Sequence, residues 1–477
     1  MNSRKIYIRS DYILLILYFG IYFVIGLSLL FRQPFGNPPD EYNRYLIPQY
    51  IAQSGSLPNG YDESVRIGGY GFSYAFQPIL PYIIQGFVMR VFSILGASET
   101  ALLYSARMVD FVFGLIMGVF VLLLGRKWFS DRRFAWLFSF LAMFLPQSIF
   151  VHTYVNTDSC CMMSIAIMLY SLTRALEDRF SISSCLLLSV GIIFCALSYY
   201  NAYGYILSCI LLFSAYFLSS GGRRLTFAWK PFLKRGCLIS LLVLSGIGWW
   251  FVRSFILYNG DFLGLKSRDL CASLYALPEF HPDTRVTWQS QGYSIFQMLL
   301  DSDFLNLSVL SFIGIYGPMT IVTSIWIYRF YKLLFALSLI LCMALPGKNT
   351  GELYPRRPIF RKFYHANMIF CMIMPFILSL YYSYATDYQP QGRYILPMLL
   401  PFAYYCVRGL CKGCALLERR LLFKNDSDTT NTPAKKRLIS RPSTGVCILL
   451  ASLIVISLFV TVYGYAFPYY ELHPVAP

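Results

Sequence analysis

Charged side chains are scarce. Lys, Arg, Asp and Glu make up 13% of the 477 residues, about half the roughly 25% of ordinary soluble domains. With 57% hydrophobic residues, the chain has more apolar surface than a water-soluble fold can cover. A soluble globular enzyme, a coiled coil, a disordered tail and a secreted disulfide scaffold are all excluded. The bilayer is the solvent.

Other absences narrow the class. Most of the 13 Cys lie in apolar runs, among them Cys160, Cys161, Cys185, Cys195, Cys209, Cys342, Cys371 and Cys447, where a thiol acts as a small hydrophobe. Cys271 stands in a long polar loop with no evident partner. Cys411 and Cys414 form a Cys-x-x-Cys, but no second pair and no nearby His completes a zinc site. No internal repeat of the kind transporters carry stands out. Acids within apolar runs are nearly missing, Asp110 being the main one, which counts against a path through the membrane midplane.

What charge there is leans one way, 40 Lys+Arg against 23 Asp+Glu. Such an excess suits nucleic acid or the cytoplasmic loops of a membrane protein, and its placement decides between them. The first apolar run, residues 11–31, follows Arg4, Lys5 and Arg9 and exceeds the roughly 7–15 residues of a signal-peptide core. No small-residue cleavage site follows; the chain continues Arg32-Gln33-Pro34. It is expected to stay as a span, with the N-terminus cytoplasmic. Further spans are expected at 101–124, 134–151, 157–174, 182–200, 202–218, 236–257, within 318–345, and at 365–384, 394–410 and 445–465, about eleven by hydropathy. Alternation then puts basic segments on one side: Arg126 to Arg133, Arg174 to Arg179, Arg223 to Arg235, Arg356 to Lys362 and Arg419 to Arg437. Asp40, Glu41, Asp62, Glu63, Asp261, Asp269, Glu279, Asp283, Asp301 and Asp303 fall on the other. The positive-inside rule is satisfied, nucleic acid is excluded as a partner, and the C-terminus is expected outside.

Two segments are ambiguous. Residues 78–95 are apolar enough to span, but crossing there would place Arg126, Lys127, Arg132 and Arg133 outside; a helix lying on the outer face is the better reading. Residues 305–345 can cross once or twice. One crossing after a surface-lying stretch near 311–317 keeps the sidedness and leaves Arg329 and Lys332 in or beside it, as candidate ligands for a lipid headgroup. The expected architecture is an all-α membrane protein with outer-face helices in both its first and its long later outer loop. A transmembrane catalytic module covers 1–411, including outer loops 32–100 and 258–317. A basic cytoplasmic loop follows at 412–443, then a last span with an outer tail at 444–477.

The polar signals gather on the outer side. In Asn37-Pro38-Pro39-Asp40-Glu41-Tyr42-Asn43-Arg44, prolines hold off a helix until Asp40, and an amphipathic helix then runs to Gly55. Asp40 suits a helix N-cap; that leaves Glu41 unexplained, and paired carboxylates also suit general-base or metal work. The turn His152-Thr153-Tyr154-Val155-Asn156-Thr157-Asp158 offers another carboxylate, again with an N-cap as the plain reading, and His152 fits an interface position. Gln389-Pro390-Gln391-Gly392-Arg393-Tyr394 places an Arg at the outer mouth of a late span, where it snorkels or binds phosphate through its forked donors. Tyr74, Gln77 and Arg107 are weaker candidates of the same orientation. Acids on one wall and cations on another suit a substrate with a hydroxyl to deprotonate and an anionic leaving group.

Pro-Asp-Glu after the first span, Asn-x-Asp between the third and fourth, and Gln-Gly-Arg-Tyr opening a late span together resemble bacterial membrane proteins of the GT-C glycosyltransferase superfamily, most of all a predicted-membrane-protein group. The similarity runs in order through about residue 402. It implies transfer of a monosaccharide from a polyprenyl-phosphate donor to a glycan or lipid-linked acceptor on the extracytoplasmic face, with inversion. On that resemblance Asp40 is the base and Glu41 its partner. Asp158 orients the acceptor or, with Asp40 and Glu41, holds a divalent Mg or Mn. Arg393, with Arg44, Arg329 and Lys332, holds the lipid phosphate; Asn156, Gln391, Tyr394, Gln77, Arg107 and His152 are candidate substrate contacts. One departure stands out: the group has His where this chain has Arg44. The alternatives are a polymerase or ligase using a polyprenyl-diphosphate-linked glycan, and a lipid or glycan transporter.

Overall fold

The computed structural model describes residues 2–221, 224–346, 358–425 and 441–473. Arg223, Arg356, Arg357, Lys435, Lys436, Arg437 and the tail from 474 lie outside them. In order, the helices are α1 (Asn2–Arg32), α2 (Glu41–Ser54), α3 (Leu80–Ile94), α4 (Glu99–Trp128), α5 (Arg132–Phe144) and α6 (Pro146–Phe150). Then come α7 (Asp158–Glu177), α8 (Ile182–Ala196), α9 (Tyr203–Tyr216), α10 (Trp229–Leu257), α11 (Leu265–Tyr275), α12 (Ile295–Asp301) and α13 (Phe304–Gly314). The last are α14 (Ile325–Ala344), α15 (Pro358–Ala385), α16 (Gly392–Ile395), α17 (Leu399–Asn425), α18 (Arg441–Phe459) and, after a π-helical turn at Val460–Ala466, α19 (Phe467–Leu472). Helix is what a bilayer demands, because it satisfies the backbone within one segment.

Among the described residues eight helices are long and apolar enough to cross a membrane, or nine if the bent pair α12–α13 is one span. The expected count of about eleven is therefore corrected. Pro146 divides 134–151 into α5 of 13 residues and α6 of 5, α8 stops after 15, and α9 has 14. The α5–α6 segment still meets α1 at both ends. Arg132 at the start of α5 pairs with Asp11 of α1 at 2.8 Å, and Gln33 beyond the other end of α1 donates to the Thr153 carbonyl after α6.

The chain is not wholly helical. An antiparallel hairpin, β1 (Leu218–Gly221) with β2 (Arg224–Phe227), joins α9 to α10. A smaller one, β3 (Ile315–Tyr316) with β4 (Ile321–Val322), joins α13 to α14. That second turn stands near the stretch expected to lie on the surface, and α14 is the one helix within 305–345 long and apolar enough to cross by itself. Helix α3 turns Tyr82, Gln85, Gly86 and Met89 inward and leaves Phe87, Val91, Phe92 and Ile94 exposed, as an interfacial helix does. Residues 412–425 continue α17 rather than forming a loop.

The two ends of the bundle differ in chemistry. At one, Trp128 donates to the Tyr364 hydroxyl at 2.7 Å and Lys412 to the Leu345 carbonyl at 2.8 Å, beside the basic segments. At the other, α1, α4, the α6–α7 turn and α16 converge. Close helix approach depends on small residues: a Cβ at Gly409 of α17 would collide with the Ser338 carbonyl oxygen of α14. Gly409→Ala is expected to cost about 1–3 kcal/mol through overpacking, read as a lower Tm in detergent; an unchanged Tm would show that this crossing is loose.

Candidate active site

Asp40 precedes α2 with φ of 61° and makes no side-chain capping bond. The N-cap expectation fails here, and the left-handed backbone, uncommon for a non-glycine residue, turns the carboxylate elsewhere. It forms an ion pair with Arg393 and lies 3.8 Å from Nη2 of Arg44. Burial pushes the Asp40 carboxyl up, but the charges of Arg393 and Arg44 outweigh it and hold the group below its usual range. One third of the side chain (33%) remains exposed, so a substrate can reach it.

Arg393 is only 3% exposed. Its Nη1 donates to the Pro39 carbonyl at 3.3 Å and its Nη2 to the Tyr394 hydroxyl at 3.2 Å. Tyr394 in turn donates to Oε1 of Gln389 at 2.5 Å. The preceding Gly392 lets α16 press against α13, where its N–H donates to Ser311, and a Cβ would strike the Phe312 backbone. Arg44 donates to the Tyr82 hydroxyl at 3.2 Å and to Oγ1 of Thr157 at 3.0 Å. Asp158, the first residue of α7 and 3% exposed, is close enough for its charge to act on both arginines. Nε of Arg44, Nε of Arg393, Oδ2 of Asp158 and Oε1 of Gln391 are buried without a protein partner. Those of Arg44, Arg393 and Asp158 fall in one cluster, where a polar ligand would find both donors and an acceptor.

Several expected site residues do other work. Glu41 is fully buried in a bidentate pair with Arg107, both bonds 2.7 Å. It also accepts the Val155 N–H at 3.1 Å and the Gly36 N–H at 3.2 Å. Arg107 binds the Leu30 and Gln33 carbonyls at 2.8 and 2.9 Å. The pair ties the first outer loop to α1, α4 and the α6–α7 turn, so Glu41 is engaged by Arg107 rather than by Asp40, and Arg107 by Glu41 and backbone carbonyls. Asn156 rather than Asp158 caps α7, its Oδ1 accepting the Ser159 N–H at 2.9 Å. His152 is buried between Ser159 and Met117, and burial pushes its pKa down to about 3, so it stays neutral. Gln77 ends the turn Tyr74–Phe76. Arg329 lies over the Trp326 ring at 4.9 Å and Lys332 donates to Asn306 at 2.8 Å. Neither shares an ion pair with this cluster.

The chemistry of the acids does not fit a bound Mg or Mn. Among the described residues no three His, Cys, Asp or Glu side chains gather as a metal site. Glu41 is occupied by Arg107, and Asp40 faces guanidinium groups. The sequence reading also missed the aromatic lining. Tyr82 bonds Arg44, and Tyr154 and Tyr199 lie within electrostatic reach of Arg393, Arg44 and Asp158. Their spacing follows no motif; only Tyr154 lay in a turn already singled out.

Residues 77–250 match the family model described as dolichyl-phosphate-mannose-protein mannosyltransferase. Over nearly its whole length the chain is similar to ArnT from Cupriavidus metallidurans in the apo state, at 14% identity and a TM-score of 0.52, covering 95% of this chain and 76% of that one. The fold is GT-C-like, similar to that of ArnT. The form of ArnT bound to undecaprenyl phosphate matches at 14% identity and a TM-score of 0.50, covering 94% and 76%. The oligosaccharyltransferase AglB from Archaeoglobus fulgidus, in complex with an inhibitory peptide and a dolichol-phosphate, matches at 13% identity and a TM-score of 0.46. That match covers 93% of this chain, which spans about half (55%) of the archaeal protein. No curated protein matches.

Removing one partner of a buried ion pair strands the other charge. Glu41→Gln is expected to lower stability by about 3–5 kcal/mol, seen as a large drop in detergent Tm and in membrane yield. A Tm equal to that of the unaltered protein would return Glu41 to the list of reacting groups.

Proposed function

We propose that the chain is a membrane glycosyltransferase that moves a monosaccharide from a polyprenyl-phosphate donor to a glycan or lipid-linked acceptor. The reaction takes place on the extracytoplasmic face with inversion, the N-terminus lying in the cytoplasm. The observation that carries this reading is the juxtaposition of a reachable carboxylate, Asp40, with two buried guanidinium groups that retain unpartnered nitrogens.

The acceptor hydroxyl gives its proton to Asp40 as its oxygen bonds to the anomeric carbon. The bond from that carbon to the phosphate oxygen breaks on the opposite side, and the electron pair leaves with the polyprenyl phosphate. Arg393 and Arg44 hold the departing charge in a site shielded from bulk water, where fixed donors act most strongly. Asp158 sets the orientation of the acceptor through its free oxygen.

The resting ion pair has a consequence for the base. Held by Arg393, Asp40 is ionised but weakly basic. A donor phosphate that draws the guanidinium toward itself frees the carboxylate and raises its basicity as the substrate arrives. Protonation of Asp40 follows the same logic. Its folded pKa is depressed, so the stabilisation by the ion pair is present above the ordinary carboxylate range and is lost as pH falls through the lower folded value.

Asp40→Asn is expected to lower transfer by about 10²–10⁴-fold, the usual contribution of a general base, with membrane insertion intact; full activity would remove Asp40 from the reaction. In the unaltered protein the acid limb of kcat should lie at higher pH than that of kcat/KM for the donor, because kcat reports the loaded site. Coincident limbs would contradict the exchange of partners. Arg393→Ala should raise the KM for the donor more than that for the acceptor, and equal losses would indicate a folding role instead.

A further inference from the structure

Tyr70, Phe72 and Tyr74 alternate with the small residues Gly71, Ser73 and Ala75, all three of which are buried. Gly71 is fixed by its surroundings: its φ is +72°, and an added Cβ would strike the backbone at Tyr275 and Ala276 of the long outer loop. The three rings follow one another edge to face, with centroids 6.3 Å apart between Tyr70 and Phe72 and 6.0 Å between Phe72 and Tyr74. Each carries a guanidinium: Arg285 lies 5.9 Å from Tyr70, Arg268 6.0 Å from Phe72 and Arg44 5.0 Å from Tyr74. The arginines come from separate places, two from the long outer loop and one from α2. Tyr70 is 36% exposed, the next two rungs are half-buried, and Arg44 at the inner end is 3.8 Å from Asp40.

We infer that this ladder is a track for the acceptor, and that the acceptor is a largely neutral glycan of two or more sugar residues whose terminal hydroxyl is delivered to Asp40. The inference rests on the transferase reading above and adds the class of acceptor. Aromatic faces pack against the C–H faces of sugar rings, and guanidinium groups beside them offer several N–H donors to the ring hydroxyls. The successive rungs lie about one sugar residue apart. The pairing of a cation with each ring does not suit a bare lipid surface, which would select apolar side chains alone. Charge argues against a polyanion. Arg268 is already paired with Asp269 at 2.7 Å, and Asp261, Glu279 and Asp283 stand in the same loop. Tyr70 is further held against Phe280, ring centroids 4.7 Å apart, so the outer rung is set in place before a ligand arrives.

The test uses full-length detergent-solubilised protein on an array of neutral and acidic mono- and oligosaccharides, with a peptide array alongside. A parallel thermal-shift measurement uses undecaprenyl phosphate. Retention of neutral oligosaccharides over monosaccharides is expected, falling at least tenfold in Tyr70→Ala and Phe72→Ala and retained in Tyr70→Phe and Phe72→Tyr, while the undecaprenyl-phosphate shift persists in all four. Equal glycan retention in the alanine variants overturns the track, as does a preference for peptides, for acidic glycans or for monosaccharides. A protein that shows the undecaprenyl-phosphate shift but retains no glycan overturns the track alone. Loss of the shift in the unaltered protein counts instead against the donor reading.

Discussion

The pairing of Asp40 with Arg393 closes the site. It joins a turn just after the first span to the mouth of a span more than three hundred residues later, and it sets the charge of the only reachable acid in the cluster of Asp40, Arg44, Asp158 and Arg393. Two buried guanidinium groups around one carboxylate would be costly to hold without further partners. Asp158 offsets part of that charge, and the nitrogens left unpartnered describe what the resting site still lacks: an anion with several acceptor oxygens. A phosphate ester meets that description, and its arrival would loosen the hold on Asp40. On the proposed reading, binding of the donor and activation of the base are one event.

Beneath this reactive pair lies a second pair with the opposite character. Glu41 and Arg107 are fully buried, bidentate and saturated with backbone bonds. They gather α1, α4 and the α6–α7 turn at the end of the bundle where Asp40 sits. Consecutive residues thus carry different duties. Successive side chains on a helix do not share a direction; once α2 begins at Glu41, that side chain turns into the core while Asp40, still outside the helix, faces the opening.

Much of this was legible before any coordinates. Asp40 and Arg393 stood out because prolines and a Gln-Gly-Arg interrupt apolar runs on the side where acids collect. Hydropathy also located the eight long apolar helices. It miscounted the spans because it sums apolarity without seeing that Pro146 breaks a helix or that α8 and α9 stop short. The pairing of Glu41 with Arg107 was hidden for a local reason: adjacency to Asp40 in sequence suggested a shared site, while Arg107 lies 66 residues on. The partners of Arg44 and the ladder at Tyr70, Phe72 and Tyr74 could not be seen, since Arg268 and Arg285 approach from a loop about two hundred residues away. A fold hosts many functions, so the acceptor has to be read from the site and not from the architecture.

The most direct test of the account is an experimental structure of the full chain with undecaprenyl phosphate. The phosphate should lie within hydrogen-bond distance of the Arg393 guanidinium, the Asp40 carboxylate should be released from that guanidinium and open to the acceptor side, and the prenyl chain should run along the apolar helices. A phosphate bound elsewhere, with Asp40 and Arg393 still paired, would contradict it.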